Sequence, residues 1–410
     1  MRIVVLCGPL YPRMSPPTSC IYKYIDKLRE RHEICIICQR TTRINEPLIN
    51  GVRIYQVSSW INDLRVWTND NISSNKLVGI SKCIYYFTRL YGALISYVKV
   101  PTRNNWLIGQ YCNCLKGLYQ NYPFDAMISV SAPPCSHISA MSFKRKHPNI
   151  KWLTYFTDPF TFYDSLYKNV LFKNRRKRKN YYIEKCIYEE ADYNFFTEEL
   201  FTLAINEFNQ KPDKNICFPY VLTSLHTIVK KQNHYNVPPK LLYAGALRMG
   251  VRNPEFALSV ISKMKGIQFD IYQAGDTISI INKYKTDYIC VFDLVDRERY
   301  LDLICNEYDI LVNIGNATSL QAPSKLMELI STGKPVINFY VNKDSQYNAI
   351  EKYPLGINIG IDTESPVEKL SKFCEENKGK RMSFKEVNNY FPNNSFEYQL
   401  QTFEKLITKR

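Results

Sequence analysis

Short runs of apolar residues alternate with helical patterns along the first half of the chain. Near-continuous apolar runs are typical of strands in a parallel sheet whose two faces are both covered. Their alternation with helices predicts right-handed crossovers and a doubly wound sheet. The apolar runs are Ile3–Cys7, Glu33–Cys38, Val52–Val57, Asp125–Val130 and Trp152–Phe156, with a helix over Tyr22–Leu28 after the first.

The same alternation starts again after Val237-Pro238-Pro239, which is a stiff break in the chain. A second, independent α/β sheet is therefore expected in the second half. The predicted strands are Lys240–Ala244, ending at Gly245, then Phe269–Gln273, Tyr288–Phe292, Asp309–Ile314 and Val336–Tyr340. The predicted helices are Phe256–Met264, Arg297–Cys305 and Leu326–Ser331.

The two series of strands define the predicted domains. The first domain covers residues 1–222 and carries a helical insertion at about 60–120, where aromatic and basic residues recur with helical spacing. The second domain covers residues 223–392. A last helix, within residues 393–410, is expected to pack back on the first domain.

Composition and charge narrow the class of protein. Hydrophobic residues make up 45% of the 410 residues and charged residues 22%, which is typical of a globular protein and excludes a disordered one. The net charge of +16 indicates acidic partners such as nucleic acid, an anionic membrane or phosphorylated substrates. The 13 cysteines have irregular spacing, and Cys35 and Cys38 have no second pair to complete a zinc site, so reduced thiols are expected.

The hydropathy of the chain bears on its location. The first apolar run, Ile3–Cys7, is too short for a signal peptide. Apolar stretches also stay short of the roughly 18 residues that a membrane span needs. We therefore expect a cytoplasmic protein, peripheral on the inner face of a membrane.

The strongest functional motif runs from Asn313 to Pro335 as strand, loop, helix, glycine and strand. Ser324 is the predicted N-cap of its helix and Gly333 the predicted residue just past its end. A helix that starts at the carboxyl edge of a parallel sheet offers free N–H groups to a diphosphate. The junction at Pro323 is therefore a predicted phosphate site.

Two charged residues of this helix extend the prediction. Lys325 adds a cation next to the expected diphosphate, and Glu328 lies one turn into the helix, where its carboxylate can accept both hydroxyls of a ribose. The alternative is that Lys325 and Glu328 are solvated charges of an ordinary first turn.

A second motif, Leu242–Pro254, contains a glycine and two arginines after a predicted strand. Gly245 allows a ligand to approach the backbone closely. Arg248 and Arg252 follow in the loop, where a guanidinium can bind phosphate with two hydrogen bonds. Either arginine could instead be an exposed loop charge.

Three residues of the first half are further candidates. Gly8 follows the first strand and allows close ligand approach, although it is equally explained as part of a turn with Pro9. Asp158 follows the strand that ends at Phe156 and could act as a base or orient an acceptor hydroxyl, or simply be a turn residue before proline. His137 is a third candidate base, with a structural role as its alternative.

A dense basic run covers Lys173–Lys179, with Phe172, Tyr181 and Tyr182 beside it. Such a run can dock on anionic lipid headgroups, on a phosphate-rich acceptor or on nucleic acid, or be a solvated helix face. The net charge favours membrane contact. The histidines show no metal-ligand spacing, and no protein-held metal is expected.

These motifs resemble those of the GT-B glycosyltransferases, in particular the large retaining group called family 4. Leu241–Leu247 is similar to that family's strand into a glycine–arginine phosphate loop, and Pro323–Ile337 to its nucleotide-binding helix. Glu189–Thr197 is similar to its last N-domain strand. The family often has a second glutamate, at the position of Leu320, and a histidine, at the position of Ser131.

The resemblance implies two facing Rossmann-like, doubly wound parallel-sheet domains of the GT-B fold, with a cleft between them. It implies a metal-independent, retaining glycosyltransferase without cofactor. A nucleotide sugar, UDP-linked, would bind mainly to the second domain, with Gly8 as a contact from the first, and backbone around Asn316 would contact the sugar. The donor-binding residues implied are Gly8, Gly245, Arg248, Arg252, Asn316, Pro323, Ser324, Lys325 and Glu328.

The expected acceptor is a hydroxyl of a lipid-linked glycan in surface polysaccharide biosynthesis, with Asp158 as the catalytic residue. Two alternatives stay open at this point. One is a GT-B nucleotide-sugar epimerase or hydrolase, and the other is a non-catalytic basic protein that binds nucleic acid or lipid.

Overall fold

The computed structural model describes residues 1–11, 14–43, 48–98, 104–131, 133–163, 167, 170–225, 228–229, 235–321 and 323–409. The chain divides into two compact units. The first comprises Met1–Phe218 with Leu400–Arg410, and the second comprises Pro219–Gln399.

A mostly parallel sheet forms the centre of the first unit. Its strands are β1 (Arg2–Pro9), β2 (Glu33–Gln39), β3 (Leu48–Ile49), β4 (Val52–Val57), β5 (Ala126–Val130), β6 (Lys151–Phe156), β7 (Tyr193–Phe196) and β8 (Asn215–Cys217). They lie in the order β3-β4-β2-β1-β5-β6-β7-β8, and β3 is antiparallel to β4. Every residue of β5 is buried, as expected of a central strand covered on both faces.

Seven helices of this unit fall within the described residues. They are α1 (Pro16–Leu28), α2 (Trp60–Ser73), α3 (Val78–Val98), α4 (Asn105–Asn121), α5 (Cys135–Lys144), α6 (Lys173–Glu190) and α7 (Glu198–Phe208). Side chains cap two of them: Ser59 accepts from Asn62 N at the start of α2, and Asn104 accepts from Trp106 N at the start of α4. Helices α2, α3 and α4 lie between β4 and β5.

The first strand corrects one prediction. The sequence places a turn at Gly8-Pro9, but β1 continues through Pro9. Its register with β2 shifts between Cys7 and Pro9, so Gly8 lies at a bulge inside the strand. The glycine is buried there, and the turn prediction is wrong because a bulge absorbs the irregular backbone within the sheet.

The second unit contains a parallel sheet with Rossmann strand order. Its strands are β9 (Lys240–Leu247), β10 (Gln268–Gly275), β11 (Ile289–Asp293), β12 (Ile310–Ile314), β13 (Val336–Phe339) and β14 (Gly356–Ile359). The order β11-β10-β9-β12-β13-β14 is the 3-2-1-4-5-6 order of dinucleotide-binding folds. The order of the strands reverses between β9 and β12.

The helices of this unit are mostly short. They are α8 (Glu255–Ile261), α9 (Ile278–Lys283), α10 (Arg297–Asp302), α11 (Lys325–Ser331), α12 (Ser345–Lys352), α13 (Pro366–Asn377) and α14 (Phe384–Tyr390), followed by α15 (Phe396–Thr408). The predicted helix over Arg297–Cys305 is divided, because α10 passes into a π-helical turn at Leu303–Glu307. Residues of α15 from Leu400 onward group with the first unit, where Phe403 packs on Phe195.

Two glycines of the second unit are required by the backbone. Gly333 follows the end of α11 with φ +74°, as predicted, and a Cβ there would lie 2.0 Å from the Met382 carbonyl oxygen. Gly275 has φ +147°, and a Cβ would lie 1.7 Å from the Leu247 oxygen. The strand predicted to end at Gly245 instead continues to Leu247, because β10 pairs with it along this whole length.

Within the residues whose structure is described, no helix is both long enough and apolar enough to cross a bilayer.

Candidate functional site

The carboxyl half of β9 separates from β12 at the point where the strand order reverses. The two strands pair only at Leu241 with Ile310 and at Leu242 with Leu311. Beyond these pairs a small cavity of about 10 Å³ opens, and its lining includes Tyr243, Ala244, Val312, Asn313, Arg252 and Lys325. Ligands of open α/β sheets bind at this reversal point, at the carboxyl ends of the strands.

Arg252 and Asn316 meet at this edge of the sheet. The loop after β9 carries Arg252, and the loop after β12 carries Asn316. Arg252 Nε donates to Asn316 Oδ1 at 3.0 Å, and its Nη1 lies 3.4 Å from the Tyr243 hydroxyl. Asn316 is buried and donates in turn to the Gln321 carbonyl. The guanidinium is therefore held in one orientation at the cavity.

Lys325, the first residue of α11, reaches the same cavity. Its ammonium donates to the Ala244 carbonyl at 3.1 Å and lies 4.8 Å from the centre of the Tyr300 ring. Burial lowers the pKa of Lys325, Glu328 opposes that shift, and Arg252 adds to it. A lysine surrounded in this way gains from an anionic ligand, because the ligand restores a favourable environment for its charge.

Glu328 is 8% exposed and forms an ion pair with two hydrogen bonds to Arg297. Arg297 Nη1 donates to one carboxylate oxygen at 2.9 Å, and Nη2 donates to the other. Burial opposes the charge of Arg297, but the bonds to Glu328 outweigh it and raise the pKa of the guanidinium. Both Arg297 and Lys325 lie within cation–π distance of the Tyr300 ring, at 5.4 Å and 4.8 Å from its centre.

The remaining predicted residues of the second unit lie around this cluster. Gly245 is buried, and a Cβ there would lie 3.1 Å from the Tyr243 hydroxyl and 3.7 Å from Arg252 Nη1. Arg248 pairs with Arg252 through the backbone, but its side chain is exposed. Pro323 and Ser324 precede Lys325 directly.

The helix start itself differs from the prediction in one respect. Ser324 occupies the N-cap position of α11, but its side chain makes no capping hydrogen bond and it is exposed. Helix α11 is also only seven residues long, so its dipole is short. The cationic side chains, rather than the helix end alone, supply the positive charge at this edge.

Gly8 and Asp158 belong to the first unit. Asp158 follows β6 and is half-buried, and Thr157 Oγ1 lies 3.4 Å from its Oδ2. The backbone here is fixed on both sides: Thr157 N donates to Ser131 Oγ at 2.9 Å, and Thr161 N donates to Glu184 at 2.8 Å. The carboxylate of Asp158 thus lies on a loop at the carboxyl end of β6 whose backbone is hydrogen-bonded on both sides of it.

His137 is part of the core of the first unit. It is 1% exposed, its Nδ1 lies 2.7 Å from Ser129 Oγ, and its ring stacks on Phe156 at 4.1 Å. Burial lowers its pKa to about 3. The imidazole is therefore neutral at physiological pH and serves packing, which is the structural alternative named for it above.

The sequence reasoning missed Arg297, Tyr300 and Tyr243. Arg297 follows Asp296, which caps α10, just after β11 ends. Arg252 and Asn316 were found as polar residues in the loop after a strand, and the same signal would have found Arg297. Among the described residues, no group of three histidine, cysteine or acidic side chains is placed to hold a metal ion.

Comparison with known proteins identifies similar structures but no similar sequences. No protein-family model matches the sequence, and a search of curated protein sequences gives no significant match. Solved structures do match over the whole chain. The apo form of the lipopolysaccharide outer core galactosyltransferase WaaB has a TM-score of 0.59 and 11% identity, with 99% of each chain covered.

Two further structures match similarly. The UDP-GlcNAc 2-epimerase from Methanocaldococcus jannaschii has a TM-score of 0.57 and 11% identity, covering 98% of this chain and 100% of its own. A structure described as trehalose-6-phosphate from E. coli bound with UDP-2-fluoro glucose has a TM-score of 0.56 and 9% identity, with both chains covered at 100%.

These likenesses, together with the two strand orders, confirm the predicted fold class. The chain has the GT-B fold, with two Rossmann-like parallel-sheet domains. At such low identity the likeness extends to the fold alone, so membership of family 4 stays a prediction.

Proposed function

We propose that the protein is a glycosyltransferase that moves a sugar from a UDP-linked donor to a hydroxyl of a glycan acceptor. The observation that carries this proposal is the cluster at the reversal point of the second sheet. Arg252, Lys325 and Arg297 bring three cations to one edge, with the carboxylate of Glu328 among them. An excess of positive charge at the reversal point of the sheet suits a diphosphate.

The diphosphate would be bound by Arg252 and Lys325. Both line the cavity between β9 and β12, and the hydrogen bond to Asn316 orients the guanidinium in advance. Preorganised cations favour the transition state of glycosyl transfer, because negative charge grows on the leaving diphosphate as the sugar departs. By the resemblance to family 4, this needs no metal ion or other cofactor, and the anomeric configuration is retained.

The ribose would be bound by Glu328. Its carboxylate oxygens are fixed by Arg297, and each oxygen keeps further acceptor capacity for a sugar hydroxyl. The names of the structural neighbours support a uridine nucleotide, since one is a UDP-GlcNAc 2-epimerase and another is bound with UDP-2-fluoro glucose.

The acceptor would bind to the first unit, with Asp158 placed to accept its proton or orient its hydroxyl. We propose that the acceptor is a lipid-linked glycan of surface polysaccharide biosynthesis and that the reaction takes place at an anionic membrane surface. The galactosyltransferase among the neighbours, which acts on the lipopolysaccharide outer core, supports this class of substrate.

A panel of nucleoside-diphosphate sugars tests the proposal by thermal shift. A UDP-sugar should raise the melting temperature of the protein in a concentration-dependent way, since ligand bound to the folded state stabilises it. Stabilisation by nucleic acid, with none by any nucleotide sugar, would favour a non-catalytic basic protein.

Incubation with the stabilising donor alone separates the enzyme classes. A transferase should leave the donor largely intact until an acceptor is added. Epimerised sugar in the absence of acceptor would favour a nucleotide-sugar epimerase, and free sugar would favour a hydrolase.

A further inference from the structure

The long helix α3 presents its apolar side chains to solvent. Five of them follow one another at spacings of three, four and seven residues, which places them on one face of the helix. Each is between 47% and 61% exposed. We call this set the outer stripe: Ile80, Phe87, Leu90, Leu94 and Tyr97.

The opposite face of α3 packs on α2 and includes two buried polar residues. Ser81 and Thr88 are 0% exposed. Arg65 of α2 donates from Nη2 to the Thr88 carbonyl at 2.9 Å, and its Nε lies 3.4 Å from Thr88 Oγ1. A surface helix normally buries most of its large apolar side chains, so the exposure of the five in the outer stripe is unusual. Rotating the helix to bury the outer stripe would remove the acceptors of Arg65.

More exposed apolar side chains lie next to the end of the outer stripe. The backbone N–H of Leu171 donates to the Tyr97 carbonyl at 2.8 Å. Leu171 is 56% exposed and Phe172 is 75% exposed. The apolar surface therefore continues from α3 to the residues just before α6.

Positive charge begins where this apolar surface ends. Helix α6 starts at Lys173, and six of the seven residues Lys173–Lys179 are lysine or arginine. Among these, Lys173, Arg175, Arg178 and Lys179 are exposed. Helix α6 has no acidic residue before Glu184. A row of apolar groups is thus joined to a block of cations, all within the first unit.

We propose that the outer stripe, Leu171, Phe172 and the basic start of α6 form one surface that docks on an anionic lipid bilayer. Apolar side chains of an interfacial helix enter the headgroup boundary, and neighbouring cations bind the anionic headgroups. This docking surface would hold the enzyme next to a lipid-linked acceptor. Its biological role therefore rests on the proposed function.

A second copy of the chain is the competing occupant of this surface. In a two-fold dimer the same patch would face itself, so the cations of Lys173–Lys179 would approach their own copies. The net charge of +16 adds to that repulsion. A negatively charged bilayer can bury the apolar side chains and bind the cations at the same time. We therefore favour a bilayer over a second copy of the chain.

Co-sedimentation of the full chain with vesicles tests the assignment. Vesicles of phosphatidylcholine with phosphatidylglycerol should bind the protein, and binding to phosphatidylcholine alone should be at least about tenfold weaker because each cation near the surface contributes to the affinity. Leu90→Asp with Leu94→Asp should abolish binding to the mixed vesicles. Arg175→Gln with Arg178→Gln should weaken it about tenfold and reduce its dependence on salt.

Ile361→Asp is the matched control, because Ile361 is an 89% exposed apolar residue of the second unit. It should leave vesicle binding unchanged. Equal binding by the wild type and the Leu90/Leu94 variant would overturn the proposal. A second result would also overturn it: the wild-type protein does not bind vesicles, is a dimer by light scattering, and the Leu90/Leu94 variant is a monomer.

UDP affinity, measured by calorimetry without vesicles, keeps the two proposals apart. All variants should bind UDP as the wild type does, which also shows that they are folded. Vesicle binding without UDP binding would leave the docking surface standing and remove the transferase. UDP binding without vesicle binding would do the reverse.

Discussion

Both terminal nitrogens of Arg297 donate to the carboxylate of Glu328, and the carboxylate is almost completely buried while the arginine is half-exposed. The pair joins the start of α10 to the start of α11, 31 residues apart in the chain. It fixes the oxygens proposed to bind the ribose. We therefore expect a substitution of Arg297 to lower the stability of the fold and a substitution of Glu328 to weaken UDP binding.

Arg297→Ala should destabilise the fold. The variant leaves the buried carboxylate of Glu328 without its ion-pair partner, at a cost of about 1–3 kcal/mol in the free energy of unfolding. Urea unfolding measures the change. Arg299→Ala on the same helix is the control, because Arg299 pairs with Glu307 at the surface and its loss should cost under about 1 kcal/mol. Equal losses in the two variants would contradict the burial argument.

Glu328→Ala should weaken UDP binding by about 1–3 kcal/mol, since two hydrogen bonds to a charged group are lost. Calorimetry with UDP and with 2′,3′-dideoxy-UDP makes the assignment specific. The wild type should lose affinity when the ribose hydroxyls are removed, and the variant should not. A variant that still distinguishes the two ligands would place the ribose elsewhere.

Arg252→Ala should weaken UDP binding more than Arg248→Ala. Asn316 and Tyr243 orient the guanidinium of Arg252, whereas the Arg248 side chain is exposed. Loss of a charge-assisted bond to phosphate costs about 1.5–3 kcal/mol, or roughly tenfold to a hundredfold in the dissociation constant. The comparison decides between two arginines that the sequence leaves equivalent. A larger effect of Arg248→Ala would reverse the assignment.

Asp158→Asn should lower turnover with an acceptor by about a hundredfold or more, as expected when a general base is lost. UDP binding should change little, because Asp158 belongs to the first unit and the proposed donor residues that surround the cavity belong to the second. Single-turnover kinetics and calorimetry measure the two effects. Wild-type turnover in this variant would exclude Asp158 as the base.

His137→Phe should make stability less dependent on pH under acidic conditions. The folded-state pKa of His137 is about 3, against about 6.5 in an unfolded chain. Between these values the unfolded chain binds a proton that the folded chain does not, so wild-type stability falls as the pH is lowered. The variant should lose up to about 1.4 kcal/mol per pH unit of that slope in urea unfolding between pH 6 and 4. Parallel pH profiles would show that His137 is accessible to protons.

Much of the local structure could be predicted from the sequence. Strand β4 has the predicted bounds, and Gly333 follows the end of α11 as expected. Such features depend on neighbours within a few residues, through hydrophobic periodicity and the φ angle of a glycine. The predicted turn at Gly8 is wrong, because the local sequence does not show whether the chain leaves the sheet there or continues in it with a bulge.

The composition of the candidate site was only partly predictable. The sequence marks Arg252, Asn316, Lys325 and Glu328 as polar residues near strand ends, but it says nothing of their contacts. Arg252 meets Asn316 across 64 residues, and Lys325 meets the Ala244 carbonyl across 81. Those contacts exist because β9 and β12 are neighbours in the sheet, which is a matter of strand pairing rather than of local pattern.

Helix α3 is a second case in which tertiary packing decided what the sequence pattern could not. The sequence by itself determined only that the region of about 60–120 is helical, because its aromatic and basic residues recur with helical spacing. Only the tertiary structure decided which face is buried. The face that carries Thr88 packs on α2, where Arg65 donates to the Thr88 carbonyl, and the outer stripe lies on the other side. Helical periodicity gives the faces of a helix, whereas a neighbouring helix decides which of them is covered.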